Sequence, residues 1–261
     1  MAPPLTILIT GASAGIGAAA ARRFAAEGDR VLLAARSEDR LRALTEELNA
    51  AHGPDTARAL PLDVTDAAAT EAALAGLPGA WREIDVAVLN AGLALNLVPV
   101  WENSVEEIDT MVDVNLKGVL YGLRAVVPGM LARGRGHVVL IGSTAGHEVY
   151  PGGVVYCATK HAVLALATGL KLDLHGTPVR VSVVSPGLTE TDFSLVRFRG
   201  DAARADAVYS DTHPLTADDV ADAIAYCVKA PAHVNVQELL VQPRVQSGSR
   251  MVARGAEAEG L

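Results

Sequence analysis

"LTILITGASAGIG", residues 5–17, decides how the rest of the chain is read. An apolar run over 5–10 breaks at Gly11, and a small-residue helical pattern follows over 16–27. A strand, a glycine loop and a helix in that order place Gly11, Gly15 and Gly17 where the backbone turns tightly and comes close to a ligand. The first amides of the helix and the positive end of its dipole then face an anion, and a pyrophosphate suits that position. Ile16 sits between the last two glycines, and Ser13 offers a hydroxyl to a phosphate. Three residues separate Gly11 from Gly15, so this is not the G-x-G-x-x-G of longer dinucleotide-binding enzymes.

The same alternation continues outward. Further short apolar runs cover 30–35, 57–62, 84–90, 137–142, 180–185 and 236–241. Most are continuously apolar, as strands covered on both faces are. Helical patterns lie between them near 38–51, 66–77, 104–132, 153–175 and 217–230. Ser104 with Glu107, and Thr216 with Asp218 and Asp219, mark two helix starts. The expected fold is α/β: one doubly wound parallel sheet, Rossmann-like, with about seven strands and helices on both faces. Residues 1–245 form one dinucleotide-binding and catalytic domain, with a substrate lid over about 187–215. The polar, Gly- and Ala-rich stretch 246–261 reads as a partly disordered tail.

Composition narrows the function. The net charge of −8 argues against a nucleic-acid surface. Two cysteines are too few for a disulfide framework, and neither they nor the seven histidines are spaced as metal ligands. The N-terminus has no basic region ahead of its apolar run, and no stretch reaches the roughly 18 apolar residues of a membrane span. A cytoplasmic protein without membrane or nucleic-acid partners is expected.

Chemistry concentrates in residues 143–160. Tyr156 and Lys160 are four residues apart at the start of a helix pattern, so they share one face. Ser143 follows the fifth apolar run and reaches the same mouth, at the strand C-termini where such sheets bind ligands. Carbonyl reduction needs a hydride on carbon and a proton on oxygen. A phenol can carry the proton, but its ordinary pKa of about 10 is too high for exchange near neutrality. A neighbouring ammonium and the oxidised nicotinamide both favour the phenolate, so Lys160 and the bound cofactor are expected to lower the pKa of Tyr156.

"TGxxxGIG" at 10–17, "NAG" at 90–92, Ser143 and "YxxxK" at 156–160, together and in this order, resemble the short-chain dehydrogenase/reductase family over roughly residues 5–245. "IGSTAG", "YPGGVVYCATK" and "SPGLTETDFSLVRFRGD" resemble its subgroup of NADP-dependent 3-hydroxy acid and serine 3-dehydrogenases. The resemblance implies Ser143, Tyr156, Lys160 and Asn115 as the catalytic set, with the Asn115 carbonyl holding a water in the proton relay. It implies that Lys160 also holds the nicotinamide ribose and that Thr189 bonds the carboxamide beyond the Pro186–Gly187 turn. Asp63 and Val64 would face the adenine, and Asn90, Ala91 and Gly92 would border its ribose. A homotetramer is implied too, consistent with apolar stretches in 104–132 and 153–175 that exceed a single buried stripe.

Cofactor choice is read at the end of the second run. Where NAD enzymes carry an acid, this chain has Ala35, followed by Arg36 and Ser37. A guanidinium grips a 2′-phosphate that a carboxylate would repel, so NADP is expected. The substrate is a small 3-hydroxy acid or secondary alcohol and its carbonyl, with Arg197 or Arg199 as the cation for an acid group. Glu148 near the pocket would oppose an anion and leaves a reductase of neutral ketones or aldehydes as the alternative. An inactive NADP-binding sensor would have no reason to keep the catalytic set together.

Overall fold

The structure, a computed structural model, describes residues 3–255. Seven strands form its sheet: β1 (Thr6–Thr10), β2 (Arg30–Ala35), β3 (Ala57–Pro61), β4 (Val86–Leu89), β5 (Gly136–Ile141), β6 (Val179–Pro186) and β7 (Glu238–Val241). They run in the order β3-β2-β1-β4-β5-β6-β7, and every pair is parallel. Successive residues enter opposite cores. Ile7, Ile9 and Leu33 pack with Phe24, Leu41 and Ile224, whereas Leu8, Leu32 and Leu140 pack with Val126, Met130 and Val163. Both faces of the central strands are therefore dry, which is why these strands read as largely apolar runs, whereas the edge strands β3 and β7 are partly exposed.

One layer holds α1 (Gly15–Ala26), α2 (Glu38–His52) and α9 (Ala217–Lys229); the other holds α3 (Ala67–Ala75), α5 (Gly118–Arg133) and α6 (Val154–Asp173). Ser104 caps α4 (Val105–Val112) in a reciprocal box with Glu107, and Thr216 caps α9 with Asp219. The pattern over 104–132 is not one continuous α-helix. A π-helical turn, Asp113–Lys117, separates α4 from α5 and inserts a residue at Asn115.

Segment 187–215 contains two short helices, α7 (Phe193–Arg197) and α8 (Ala202–Tyr209). It is closed at its base, where Leu215 N–H donates to Leu188 O at 2.9 Å and Glu190 N–H to Leu215 O at 2.8 Å. Residues 246–255 differ from the expectation of disorder. Gln246 is buried and pairs with Val252 in an antiparallel bridge, Ala253 N–H donates to Val245 O, and Gly255 N–H donates to Asp211 O. The rest of the expected tail, 256–261, lies outside the described residues.

Candidate active site

The strand order reverses at β1, whose neighbours β2 and β4 lead away on opposite sides. A crevice must open there at the strand C-termini. It holds a cavity of about 570 Å³ lined by the glycine loop, the end of β5, the first turns of α6 and the segment after β6. Tyr156 and Lys160 enter it from α6, one turn apart, and both are buried. Ser143 stands opposite, in extended backbone just past β5, and accepts a hydrogen bond from Ala145 N–H at 3.1 Å.

Burial sets the electrostatics. It pushes the Tyr156 phenol up to about 12, with the Ser143 hydroxyl and the Arg197 guanidinium acting the other way. It brings the Lys160 ammonium down to about 8. The protein alone thus does not produce the lowered phenol expected from sequence. Lys160 Nζ lies 5.9 Å from the Tyr156 ring centroid and donates to Ile141 O at 2.8 Å. One lysine N–H goes to a backbone carbonyl, and desolvation of the phenolate outweighs the help its charge gives.

Asn115 is buried beside this pair, on the π-helical turn. Its Oδ1 accepts from Leu93 N–H at 2.8 Å, and its Nδ2 donates to Leu93 O at 2.7 Å and to Thr159 Oγ1 at 3.1 Å. The side chain is fully used as a splint for the strand-end loop after β4.

The opposite end of the crevice suits a dinucleotide phosphate. Ala14, the residue before α1, gives it no side-chain cap, and its first turn holds no acid, so among the described residues its leading amides have no side-chain partner to compete with an anion. Gly11 and Gly15 have φ of 66° and 52°, conformations that favour glycine. Asn90 braces the loop: its Nδ2 donates to Thr10 O at 2.9 Å, while Thr10 Oγ1 accepts from the amides of Asn90 and Ala91. Asn90, Ala91 and Gly92 all line the cavity, but the Asn90 side chain is turned to the loop backbone. Arg36 and Ser37 are exposed at the end of β2, and Arg36 has no hydrogen-bond or ion-pair partner among the described residues. Asp63 is nearby. The Thr65 amide holds its carboxyl below the usual range against burial, and the Arg36 charge helps. Val64 packs where α5 begins at Gly118. Ser13 faces a shallow neighbouring groove with Arg40 and Thr191. Pro186, Gly187 and Thr189 line the cavity at the end of β6, and Thr189 Oγ1 donates to Gly187 O at 3.1 Å.

This arrangement of glycine loop, serine, tyrosine and lysine coincides with a family match: the short chain dehydrogenase model covers residues 5–200. The chain is a short-chain dehydrogenase. It is 46% identical over 244 residues to the NADP-dependent 3-hydroxy acid dehydrogenase YdfG of Salmonella typhi, covering 93% of this chain and 96% of that protein. It is likewise 46% identical over 244 residues to sulfoacetaldehyde reductase 2 of Chromohalobacter salexigens, with coverages of 93% and 96%. Among solved structures, the closed form of serine dehydrogenase complexed with NADP+ superposes with a TM-score of 0.90 at 45% identity, covering 93% of this chain and 96% of that one.

Within this dehydrogenase, the two arginines two residues apart have different fates. Arg199 Nη2 bonds the buried Glu107 carboxylate at 2.6 Å and does not line the cavity. Arg197 does line it. Its guanidinium lies 5.5 Å from the Tyr156 ring centroid and 5.0 Å from that of Phe193, and its Nη2 donates to Tyr150 Oη at 3.1 Å. Its Nε is buried without a partner among the described residues. Glu148 does not line the cavity either, because its carboxylate turns outward to Ser249. Sequence reasoning missed Tyr150, Phe193 and the wall supplied by residues 246–254. Only the aromatic character of the first two offered a signal.

Proposed function

We propose that this chain is an NADP-dependent oxidoreductase that interconverts a small 3-hydroxy acid and its carbonyl, with Tyr156 as general acid and base. The observation that carries the substrate class is Arg197, which lines the cavity with its guanidinium over the Tyr156 ring and keeps donors free after its bond to Tyr150. A carboxylate there would complete the guanidinium with charge-assisted hydrogen bonds. Serine and sulfoacetaldehyde, named for two of the similar proteins, both carry an anionic acid group.

Bound NADP would accept or return the hydride at the substrate carbon. The uncapped α1 amides would hold its pyrophosphate, Arg36 its 2′-phosphate with Ser37 and Ser13 beside it, and Thr189 its carboxamide. Tyr156 takes the proton from the substrate hydroxyl in oxidation and gives it to the carbonyl oxygen in reduction. Ser143 donates to that same oxygen. Lys160, charged in a dry pocket, stabilises the phenolate and holds the nicotinamide ribose. The Asn115 side chain is occupied with Leu93, and its main-chain carbonyl would hold the relay water.

Leu120 and Leu131 on α5, and Val154 and Leu172 on α6, are large apolar side chains left exposed. They support assembly as a homotetramer through these helices. No helix among the described residues is long and apolar enough to cross a membrane. The free thiols Cys157 and Cys227 fit a reducing cytoplasm. A carbonyl reductase of broader range is the second reading, favoured by a cavity of about 570 Å³ with apolar lining from Leu93, Leu97 and Val208. A paired screen separates them: L-serine and 3-hydroxyisobutyrate with NADP+, against neutral ketones and aldehydes with NADPH. Turnover of the acids, with KM raised about tenfold by Arg197→Met, supports the first reading. Turnover of neutral carbonyls alone overturns it.

A further inference from the structure

We infer that residues 246–255 form a strap across the mouth of the cavity, that Arg250 on this strap is a specificity-determining residue for the acid group of the substrate, and that Glu148 positions it. The inference rests on the hydroxy-acid reading above. Three fastenings hold the strap. Gln246 Oε1 accepts from Leu188 N–H at 2.7 Å, at the root of the lid. Glu148 Oε2 accepts from both Ser249 N–H at 2.7 Å and Ser249 Oγ at 2.8 Å. Arg254 donates to Ser210 O at 2.5 Å and Val208 O at 2.9 Å, at the end of α8. The clasp is fitted at Gly248, where a Cβ would lie only 3.2 Å from Glu148 Oε2.

Between these fastenings Ser249, Arg250 and Val252 line the cavity together with Arg197. Arg254 is spent on carbonyl groups. Arg250 is exposed and has no hydrogen-bond or ion-pair partner among the described residues. Two arginines therefore line one cavity, Arg197 on the lid and Arg250 on the strap. Each presents a planar fork of donors. Arg197 gives one of its N–H groups to Tyr150 and Arg250 gives none among the described residues, so together they offer donors to the two or three oxygens of a carboxylate or a sulfonate. The Glu148–Ser249 clasp serves twice. It fixes the residue before Arg250, and it keeps the Glu148 carboxylate away from the substrate anion.

The test uses the full chain with NADP+ and two probes, 3-hydroxypropionate and isethionate. Arg250→Met is expected to raise KM for the acid that turns over about tenfold, with kcat and the KM for NADP+ changed less than twofold. Glu148→Ala is expected to raise the same KM about three- to fivefold and to add nothing in the Arg250→Met background, because it acts through Arg250. Equal acid KM in Arg250→Met and the unmodified protein overturns the inference. So does a loss that appears only in kcat or NADP+ affinity, or additive effects of the two substitutions. If the unmodified protein oxidises neither these probes nor L-serine, the hydroxy-acid reading itself fails, which is a different result from acid turnover indifferent to Arg250.

Discussion

Replacing Arg36 with alanine should remove most of the preference for NADP(H) over NAD(H). The guanidinium is exposed at the end of β2 and has no carboxylate bonded to it, so truncation leaves no buried group orphaned. The loss is then the contact with the 2′-phosphate alone. Hydrogen bonds to charged groups are worth about 1.5–3 kcal/mol. Exposure places this one at the lower end, since solvent and salt screen it. About 1.5 kcal/mol corresponds to roughly a tenfold fall in NADPH affinity, with NADH affinity unchanged or slightly raised. Asp63 adds to the change, because its nearby carboxylate loses the cation that offsets it. The assay is quenching of protein fluorescence by NADPH and NADH, paired with kcat/KM for both cofactors at low and high salt. In the unmodified protein the preference should shrink as salt rises. A ratio of NADPH to NADH affinity that Arg36→Ala moves by less than twofold would refute this assignment.

Lys160→Met should abolish turnover yet stabilise the cofactor-free protein. The ammonium is driven from 10.5 to about 8 by burial, a cost of roughly 3 kcal/mol, against a lost bond to Ile141 O worth about 1.5 kcal/mol. The net gain of about 1–2 kcal/mol should raise Tm by about 3–6 °C. Because the folded pKa is depressed, the cost is present in full below pH 8 and is relieved as pH rises toward 10.5, so the advantage of the variant should shrink over that window in thermal melts. Tyr156→Phe should cut turnover at least about a hundredfold while NADPH still binds by fluorescence titration; near-full activity would exclude Tyr156 as the proton carrier. Light scattering at micromolar concentration should give four times the mass of the 27.0 kDa chain, and a monomer would refute the assembly through α5 and α6.

The amino-acid sequence by itself determined the layered fold and put the candidate reacting groups, Tyr156 and Lys160, on one helix face. Strands buried on both faces are apolar at most positions, so β1, β2 and β5 announce themselves without any partner in view. Tyr156 and Lys160 meet because a helix brings i and i+4 to one face, a rule of local geometry. The tertiary structure decided what local rules do not reach. Residues 104–132 read as one helical pattern, and nothing local marks the π-helical turn, where Asn115 bonds both the amide and the carbonyl of Leu93, 22 residues away. Arg197 and Arg199 are equivalent as sequence; a buried carboxylate on α4 takes one and leaves the other over Tyr156. The phenol is raised rather than lowered because desolvation depends on how much of the molecule surrounds Tyr156, which no spacing records. Residues 246–255 are polar and glycine-rich, the composition of a loose end. They are ordered by bonds to Leu188, Glu148 and the end of α8, partners between 44 and 101 residues distant where the separations are largest and smallest, and so invisible until the chain is folded.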